Sequence, residues 1–337
     1  MNRFAWKWYL DELKVTKPVK VFSTFSCGGG SSMGYKRAGM EVIGNVEIDP
    51  KVNAMYCKNN HPKYNFCMDL RKFNELEDLP EELYHLDILD GSPPCTTFST
   101  AGLREATWGK EKAFREGQAK QRLDDLFFVY LDTVAKLRPK VAIAENVVGL
   151  IKGNAKGYVS EIIARFKSLG YDVQLFKLNS AVMDVPQARE RVFFIANNQG
   201  YGKLNLNFNY DLIPFGVVRS EHGSGRIKEG VLSNLLENIK DGDRTLKDVA
   251  KRTAGVDSYF GALLADDSRV MCTITSGGRF IRMFDKEGLS DSDFVSCSTF
   301  PQDYDFMGSS PQYACGMCVP PNMTANIATE VYEQWLK

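Results

Sequence analysis

The sequence is poor in histidine, carries no surplus of either charge sign and contains no long apolar run. Its three histidines, His61, His85 and His222, stand away from the ends of the expected strands, which disfavours a nicotinamide oxidoreductase relying on a histidine acid. No stretch approaches the roughly 18 consecutive apolar residues of a membrane span. The opening Met1-Asn-Arg-Phe-Ala-Trp-Lys-Trp8 also lacks the continuous apolar core of a signal peptide. A soluble cytoplasmic protein with no membrane partner is therefore expected. Lysine plus arginine and aspartate plus glutamate both number 42, for a formal net charge of zero, so any nucleic-acid surface has to be local rather than global. The eight cysteines are scattered through a chain too long to need disulfide staples, and reduced thiols are the default. Cys315-Gly-Met-Cys318 has C-x-x-C spacing, but no second pair follows at zinc-ribbon distance and Pro320-Pro321 comes next, so no metal is expected. Internal repeats and low-complexity tracts are absent too.

What is present is ordinary globular material, 44% hydrophobic and 25% charged over 337 residues, enough for a large core. From Val19 to about Asn197, β-rich runs alternate with helix-period segments, as expected of an α/β sheet covered by helices. The strands read as Val19–Phe25, Glu41–Ile48, Asp87–Asp90, Val141–Ala144, Val173–Leu178 and Arg191–Ala196. Leu123, Leu126, Phe127, Tyr130, Leu131, Val134 and Leu137 recur at helical spacing, as do Val159, Ile162, Phe166 and Leu169. After Asn197 the rhythm gives way to a stretch rich in Gly, Asn, Asp and Ser. Pro320-Pro321 then opens a helix whose apolar face is Met323, Ile327, Val331 and Trp335. The expected organisation is a first domain over 1–197, a smaller one over 198–296, and a segment 297–337 returning to the first.

Phe25-Ser-Cys-Gly28-Gly29-Gly30 follows the first strand, where small residues let backbone approach a ligand and a helix start offers free amides. Glu47 ends the second strand, about 20 residues on, where a carboxylate can accept hydrogen bonds from ribose hydroxyls. A plain Gly-rich turn beside a solvated carboxylate would use the same residues. Counting from Gly28, Met33 stands where a dinucleotide fingerprint needs its third glycine, so the signal is an adenosine-type ligand of unspecified kind. Asp69, before the next helical stretch, could reach an adenine amino group. Asp87-Ile-Leu-Asp90-Gly-Ser-Pro-Pro94-Cys95 runs a strand straight into two prolines and a thiol. That makes Cys95 a candidate nucleophile at the ligand-binding end of the sheet, with a buried structural cysteine as the alternative. Glu145-Asn146 ends the next strand and offers a carboxyl that could donate to a heterocycle nitrogen. Gln187, Arg189 and Arg191 alternate and, if extended, share one face, surface ion pairing being the alternative for the arginines.

Taken together, Phe25-Ser-Cys-Gly-Gly-Gly30, Pro93-Pro-Cys95-x-x-Phe-Ser99, Glu145-Asn-Val147, Gln187-x-Arg-x-Arg191, Phe300-Pro-x-x-Tyr304 and Gly316-Met-Cys-Val-Pro-Pro321 resemble, in order, the motifs of the cytosine-5 DNA methyltransferases of prokaryotes and phages. The resemblance implies a Rossmann-like S-adenosylmethionine-dependent methyltransferase sheet with a second, smaller target-recognition domain. Its substrates would be double-stranded DNA and S-adenosylmethionine. The implied catalytic set is Cys95, Glu145, Arg189 and Arg191. The implied cofactor set is Phe25, Gly28, Gly29, Gly30, Glu47, Ile48, Asp69, Leu70, Pro94 and Leu126, with Cys318 acting through its backbone. Residues 198–270 fall where the family keeps target recognition. The resemblance also implies a monomer of the restriction-modification type, with a cognate restriction endonuclease acting on the same site.

Several positions depart from the family pattern. Cys27 replaces the usual first glycine of the cofactor turn, so a less tight turn is expected. Asp293 and Ser298 replace a glutamate and a glutamine, leaving the contacts made there in doubt, and Met317 and Cys318 replace an asparagine and a serine.

The implied chemistry explains the residue types. Thiolate addition at carbon-6 of cytosine makes carbon-5 nucleophilic, Glu145 holds ring nitrogen 3 and the exocyclic amine, and an arginine binds the base oxygen. None of this is possible in a stacked duplex, so the base must be flipped out. Thr96 to Arg122, with Arg104, Lys110, Lys112, Arg115, Lys120 and Arg122 among Gly102, Gly109 and Gly117, reads as a mobile, phosphate-binding cover. Two rival readings are a tRNA cytosine-5 methyltransferase on the same scaffold, whose Cys-Phe-Thr signature is not evident here, and a catalytically silent DNA-binding protein, which would need no thiol in its pocket.

Overall fold

Alternating short strands and amphipathic helices build the larger part of the molecule. The computed structural model of the chain describes residues 3–94, 125–152, 156–225, 230–257 and 261–337. The contacts divide the chain into two units, each assembled from three separated segments. The sheet unit comprises Leu13–Asn179, Glu190–Asn207 and Thr324–Lys337; the other comprises Met1–Glu12, Ser180–Arg189 and Phe208–Met323.

In the sheet unit, β1 (Lys20–Thr24), α1 (Gly30–Arg37), β2 (Glu41–Val46), α2 (Pro50–Asn60), β3 (Tyr64–Phe66), α3 (Leu70–Glu75), β4 (Ile88–Gly91), α4 (Leu126–Leu137), β5 (Val141–Val147), α5 (Lys156–Ser168) and β6 (Asp172–Asn179) follow one another along the chain. After β7 (Gln187–Ala188), which belongs to the other unit, β8 (Glu190–Asn197) enters the sheet. Among the described residues the sheet has seven strands in the order β3-β2-β1-β4-β5-β8-β6. Neighbours are parallel except at β8, which runs antiparallel to both β5 and β6. The order reverses between β1 and β4, and in open α/β sheets ligands bind outside the carboxyl ends of the strands at such a switch point.

The core explains why the strands read as near-continuous apolar runs, since both faces of β1, β4 and β5 are covered. Phe22, Leu89, Ala142, Ala144 and Phe194 pack with Phe73, Phe127, Tyr130, Ile162 and Phe166 from the helices. Phe22 and Phe73 stack at 5.6 Å and Phe66 meets Phe73 edge-on at 4.9 Å, geometries worth roughly 0.5–1.5 kcal/mol each beyond area burial. α2 is started by Asp49, whose carboxylate accepts from the amides of Lys51 and Val52 ahead of Pro50 in the first turn. The final helix, α11 (Pro321–Val331), ends in a turn whose Trp335 stacks on Tyr201 at 5.9 Å and donates to the Gly202 carbonyl.

The other unit contains α6 (Phe215–Val218), α7 (Gly230–Glu237), α8 (Leu246–Ala254), β9 (Leu263–Ala265), β10 (Met271–Cys272), β11 (Phe280–Arg282), α9 (Asp291–Cys297) and α10 (Pro311–Met317). Two short parallel pairings, β7 with β10 and β9 with β11, tie distant segments together. One apolar cluster joins Phe215, Met271, Ile274, Phe280 and Phe294; a second joins Leu232, Leu236, Leu246, Val249 and Ile281. The N-terminal segment is strapped to this unit. Asp184 accepts from the amides of Arg3 and Phe4, Asn322 donates to the Ala5 carbonyl, and the Trp8 indole donates to the Thr299 carbonyl at 2.8 Å.

Candidate active site

The turn after β1 is built under strain. Phe25 and Cys27 both lie in the left-handed region, at φ 51° and 48°, and Gly29 follows at φ 80°. The Gly29 amide closes the turn onto the Ser26 carbonyl at 2.9 Å, and Gly29 is the residue before α1, so the first free amides of that helix face the end of the sheet. A Cβ at Gly29 would press on the Asn60 side-chain amide and lie 3.0 Å from the Tyr56 ring, so bulk is disfavoured there by crowding as well as by φ. The expected loosening at Cys27 is therefore corrected: the turn closes with cysteine in the conformation a glycine would take, at a cost of roughly 1–2 kcal/mol for an L-residue. Cys27→Val, whose branched Cβ resists this conformation, is expected to destabilise by about 1–3 kcal/mol. Cys27→Gly, trading strain for chain entropy, should stay within about 1 kcal/mol of the parent. Thermal denaturation of the two variants checks this, and equal destabilisation would contradict it.

Glu47, just past β2, is buried. Its carboxylate accepts from the Cys27 amide at 2.8 Å and the Asp49 amide at 3.0 Å, so it braces the glycine turn from the neighbouring strand end. Ile48 is 38% exposed beside it. Asp69, past β3, caps α3 by accepting from the Arg71 amide and pairs with the Arg71 guanidinium. Leu70 and Leu126 are both in the sheet's apolar core. Phe25, Glu47, Ile48, Asp69, Pro94 and Glu145 all follow or end strands at the carboxyl edge of one sheet, around the β1/β4 switch point.

β4 ends at Gly91, where a Cβ would collide with the Tyr130 ring at 2.6 Å and Thr24 Oγ1 at 2.7 Å; glycine is needed for the strand to pass. Beyond it the Pro93 carbonyl accepts from Asn146 Nδ2 at 3.1 Å, fixing this loop to the end of β5. Cys95 and the expected cover from Thr96 to Arg122 lie outside the described residues.

Glu145 lies on β5 and Arg191 on β8. Arg191 sits opposite Val147 in the antiparallel register, two residues past Glu145 and on the same sheet face, so its guanidinium reaches diagonally back. Nε lies 2.9 Å from Glu145 Oε1, with side-chain exposures of 14% for Arg191 and 12% for Glu145. Burial pulls the guanidinium below its ordinary value, and Glu145 opposes that shift. This is a mostly dehydrated ion pair, and removing one partner would strand a charge.

Gln187 and Arg189 do not share partners with Arg191. Both are buried and bonded within the other unit. Gln187 accepts from the Ile274 amide and donates to Ser298 Oγ at 3.2 Å. Arg189 donates to the carbonyls of Ile274 and Gly316, each at 3.0 Å. Ser298 thus receives the Gln187 amide directly. Asp293 is fully buried, boxes the start of α9 with Ser290, accepts from the Ser220 amide and lies 3.6 Å from Arg282. The Cys318 amide is committed to the Ala314 carbonyl and its side chain is buried.

The fold is shared with solved methyltransferase structures. The S. pombe Dnmt2 methyltransferase structure matches with a TM-score of 0.64 at 13% identity, covering 94% of this chain and 98% of that one. At the level of sequence, the family model of the C-5 cytosine-specific DNA methylases matches residues 19–253. The Type II methyltransferase M.NgoPII of Neisseria gonorrhoeae is 37% identical over 349 residues, covering 93% of this chain and 95% of that one. The Type II methyltransferase M.FnuDI of Fusobacterium nucleatum is 32% identical over 194 residues, which is 58% of this chain and 51% of that one. The chain belongs to the C-5 cytosine-specific DNA methylase family and is a sequence-specific DNA (cytosine-5-)-methyltransferase.

Proposed function

We propose that the enzyme takes its methyl group from S-adenosylmethionine and works through a covalent adduct between Cys95 and a flipped-out cytosine. The observation that carries this reading is the strand-end row: the closed glycine turn, Glu47, Asp69, the proline loop and the Glu145–Arg191 pair stand side by side on one sheet edge. The site fits an adenosine-type cofactor. Gly29 leads into α1, whose first free amides lie at the strand ends, Glu47 offers acceptor oxygens at the β2 tip, and exposed Ile48 offers apolar surface to a ring. Phe25, Gly28, Gly30, Asp69 and Pro94 complete that cradle, with Leu70 and Leu126 supporting it from the core. When bound, S-adenosylmethionine supplies an electrophilic methyl group.

The chain's own residues do the rest. Cys95 adds as thiolate to carbon-6 of the base. Glu145 gives ring nitrogen 3 a proton as the addition proceeds and accepts from the exocyclic amine. Arg191 orients Glu145 and binds the base oxygen. The carbon-5 proton then departs and Cys95 is expelled, restoring the aromatic ring. Arg189, with its guanidinium on two backbone carbonyls, supports the segment leading to Arg191 rather than touching the base. Residues 198–270 carry the DNA specificity, since base-edge contacts must come from outside the shared chemistry. The setting we infer is a cytoplasmic monomer protecting the site of a cognate restriction endonuclease, the nuclease being suggested by the Type II names of the relatives.

Labelled methyl incorporation is expected into cytosines of duplex DNA and not into tRNA; label found only in tRNA would select the RNA reading, and none in either would reject both. For the cofactor site, Glu47→Ala should weaken S-adenosylmethionine binding by about tenfold or more, because a charged acceptor is worth roughly 1.5–3 kcal/mol and its loss also leaves two amides unbraced. Met317→Asn should change it by less than about tenfold, since a thioether makes only weak hydrogen bonds and its replacement alters little. Calorimetric titration of both variants decides, and the reverse ranking would mean the cofactor lies elsewhere.

A further inference from the structure

One buried ionisable group takes no part in the chemistry above. Asp90, on β4, is 4% exposed. Its carboxylate accepts from Ser23 Oγ at 2.8 Å and from the Tyr35 hydroxyl at 3.1 Å. Strand register sets Ser23 opposite Asp90 and Asp90 opposite Ile143. Because side chains alternate, Ser23, Asp90, Ile143 and, two residues on, Glu145 lie on one face of the sheet. The titratable groups that face Asp90 among the described residues are Tyr35 from α1, Tyr56 from α2, Tyr130 from α4 and Glu145 from β5. None is a cation. Burial pushes the carboxyl up to about 7, the nearby Glu145 adding to the shift and the two hydroxyl donors opposing it.

Such a group is costly. A carboxyl that binds its proton more tightly folded than unfolded stabilises the protein fully only below its ordinary range, and that stability is lost as pH rises through the folded value near 7. An apolar or amide side chain would serve packing better. The position is informative. Ser23 lies on the strand that enters the glycine turn, Tyr35 on the helix that leaves it, and Asp90 on the strand that delivers Pro93, Pro94 and Cys95.

We propose that Asp90 is a positioning residue of the methyl-transfer site: its ionised carboxylate clamps β1 and α1 against the strand that leads to Cys95. The inference rests on the covalent reading above. The ionised form is the working one because both hydroxyls donate to the carboxylate, one to each oxygen, and bonds accepted by an ionised group are stronger than those a neutral acid accepts.

The test is kcat for duplex DNA methylation across pH 6 to 8.5, for the unaltered enzyme and for Asp90→Asn. Titration of Cys95 is common to both and divides out of their ratio. The ratio of unaltered to variant kcat is expected to stay within about twofold at pH 6 and to rise to about tenfold or more at pH 8.5, with a midpoint near 7. KM for DNA and for the methyl donor should hold within about threefold. A ratio independent of pH would overturn the proposal while leaving the covalent reading intact; an unaltered enzyme inactive at every pH would instead remove that reading. Should Asp90→Asn fail to fold, Tyr35→Phe keeps the question open to experiment. Loss of one donor makes Asp90 harder to ionise, so the acid limb of activity should move to higher pH, and an unmoved limb would overturn the proposal.

Discussion

Cys95→Ala is expected to lower methyl transfer into duplex DNA by about 10⁴-fold or more, the scale on which enzymes lose activity when a covalent nucleophile is removed. Carbon-5 of cytosine is too weak a nucleophile to take a methyl group unaided, and addition of a thiolate at carbon-6 supplies the missing electron density. An alanine leaves no group to add, and a serine hydroxyl, far less acidic than a thiol, adds poorly. The same reasoning predicts a covalent complex with DNA carrying 5-fluorocytosine at the target position, because fluorine cannot leave as a proton and the enzyme stays attached. A denaturing gel reads the adduct directly. Methylation or adduct formation that survives Cys95→Ala would exclude this cysteine from the mechanism.

The second large effect is expected at Glu145. Glu145→Gln keeps the size of the side chain and two polar atoms, but an amide cannot hand a proton to ring nitrogen 3 as the thiolate adds. General acid assistance typically contributes about 10²–10⁴-fold, and a loss of kcat within that range is expected. The neutral side chain also strands the Arg191 guanidinium, whose pairing at 2.9 Å is largely shielded from water. The step affected identifies the role. If Glu145 assists addition, adduct formation with 5-fluorocytosine DNA slows in parallel with turnover. Normal adduct formation with slow turnover would assign Glu145 to a later step instead.

The strand rhythm is readable because β1, β2, β4, β5 and β8 are β-rich, largely buried runs bounded by turn residues and β6 mixes apolar with polar residues as an edge strand does, and each expected strand lies within two residues of the one observed at either end, except β5, which runs on to Val147 through Glu145 and Asn146. Tyr64–Phe66, at three residues, is too short to show a period of two and passed unread. The closed turn at Cys27 could not be foreseen either. Residue type argues against the left-handed region there, and the Glu47 carboxylate that accepts from the Cys27 amide is placed by tertiary structure. Asp90 looked like the unremarkable end of a strand. Its meaning depends on Ser23 and Tyr35, which are 67 and 55 residues away in sequence. Arg189 and Arg191 looked equivalent two residues apart, yet the partners that separate their roles come from Ile274 and Gly316 for one and from Glu145 for the other. Local pattern carries periodicity and turn chemistry; it does not carry long-range hydrogen-bond bookkeeping.

The strap at the N-terminus has a consequence for how the protein is made. Trp8 finds its acceptor at Thr299, 291 residues later, and the Ala5 carbonyl waits for Asn322. At roughly 5–20 residues per second of synthesis, the first dozen residues leave the ribosome tens of seconds before their partners exist. The sheet strands β1 to β5, which are neighbours in the sheet, can pair in that interval. Residues 1–12 and 180–189 must then be kept available until their partners in Phe208–Met323 have emerged, so this unit is completed late in synthesis, and chains stalled before Thr299 would leave Trp8 without its acceptor and exposed to the chaperone machinery.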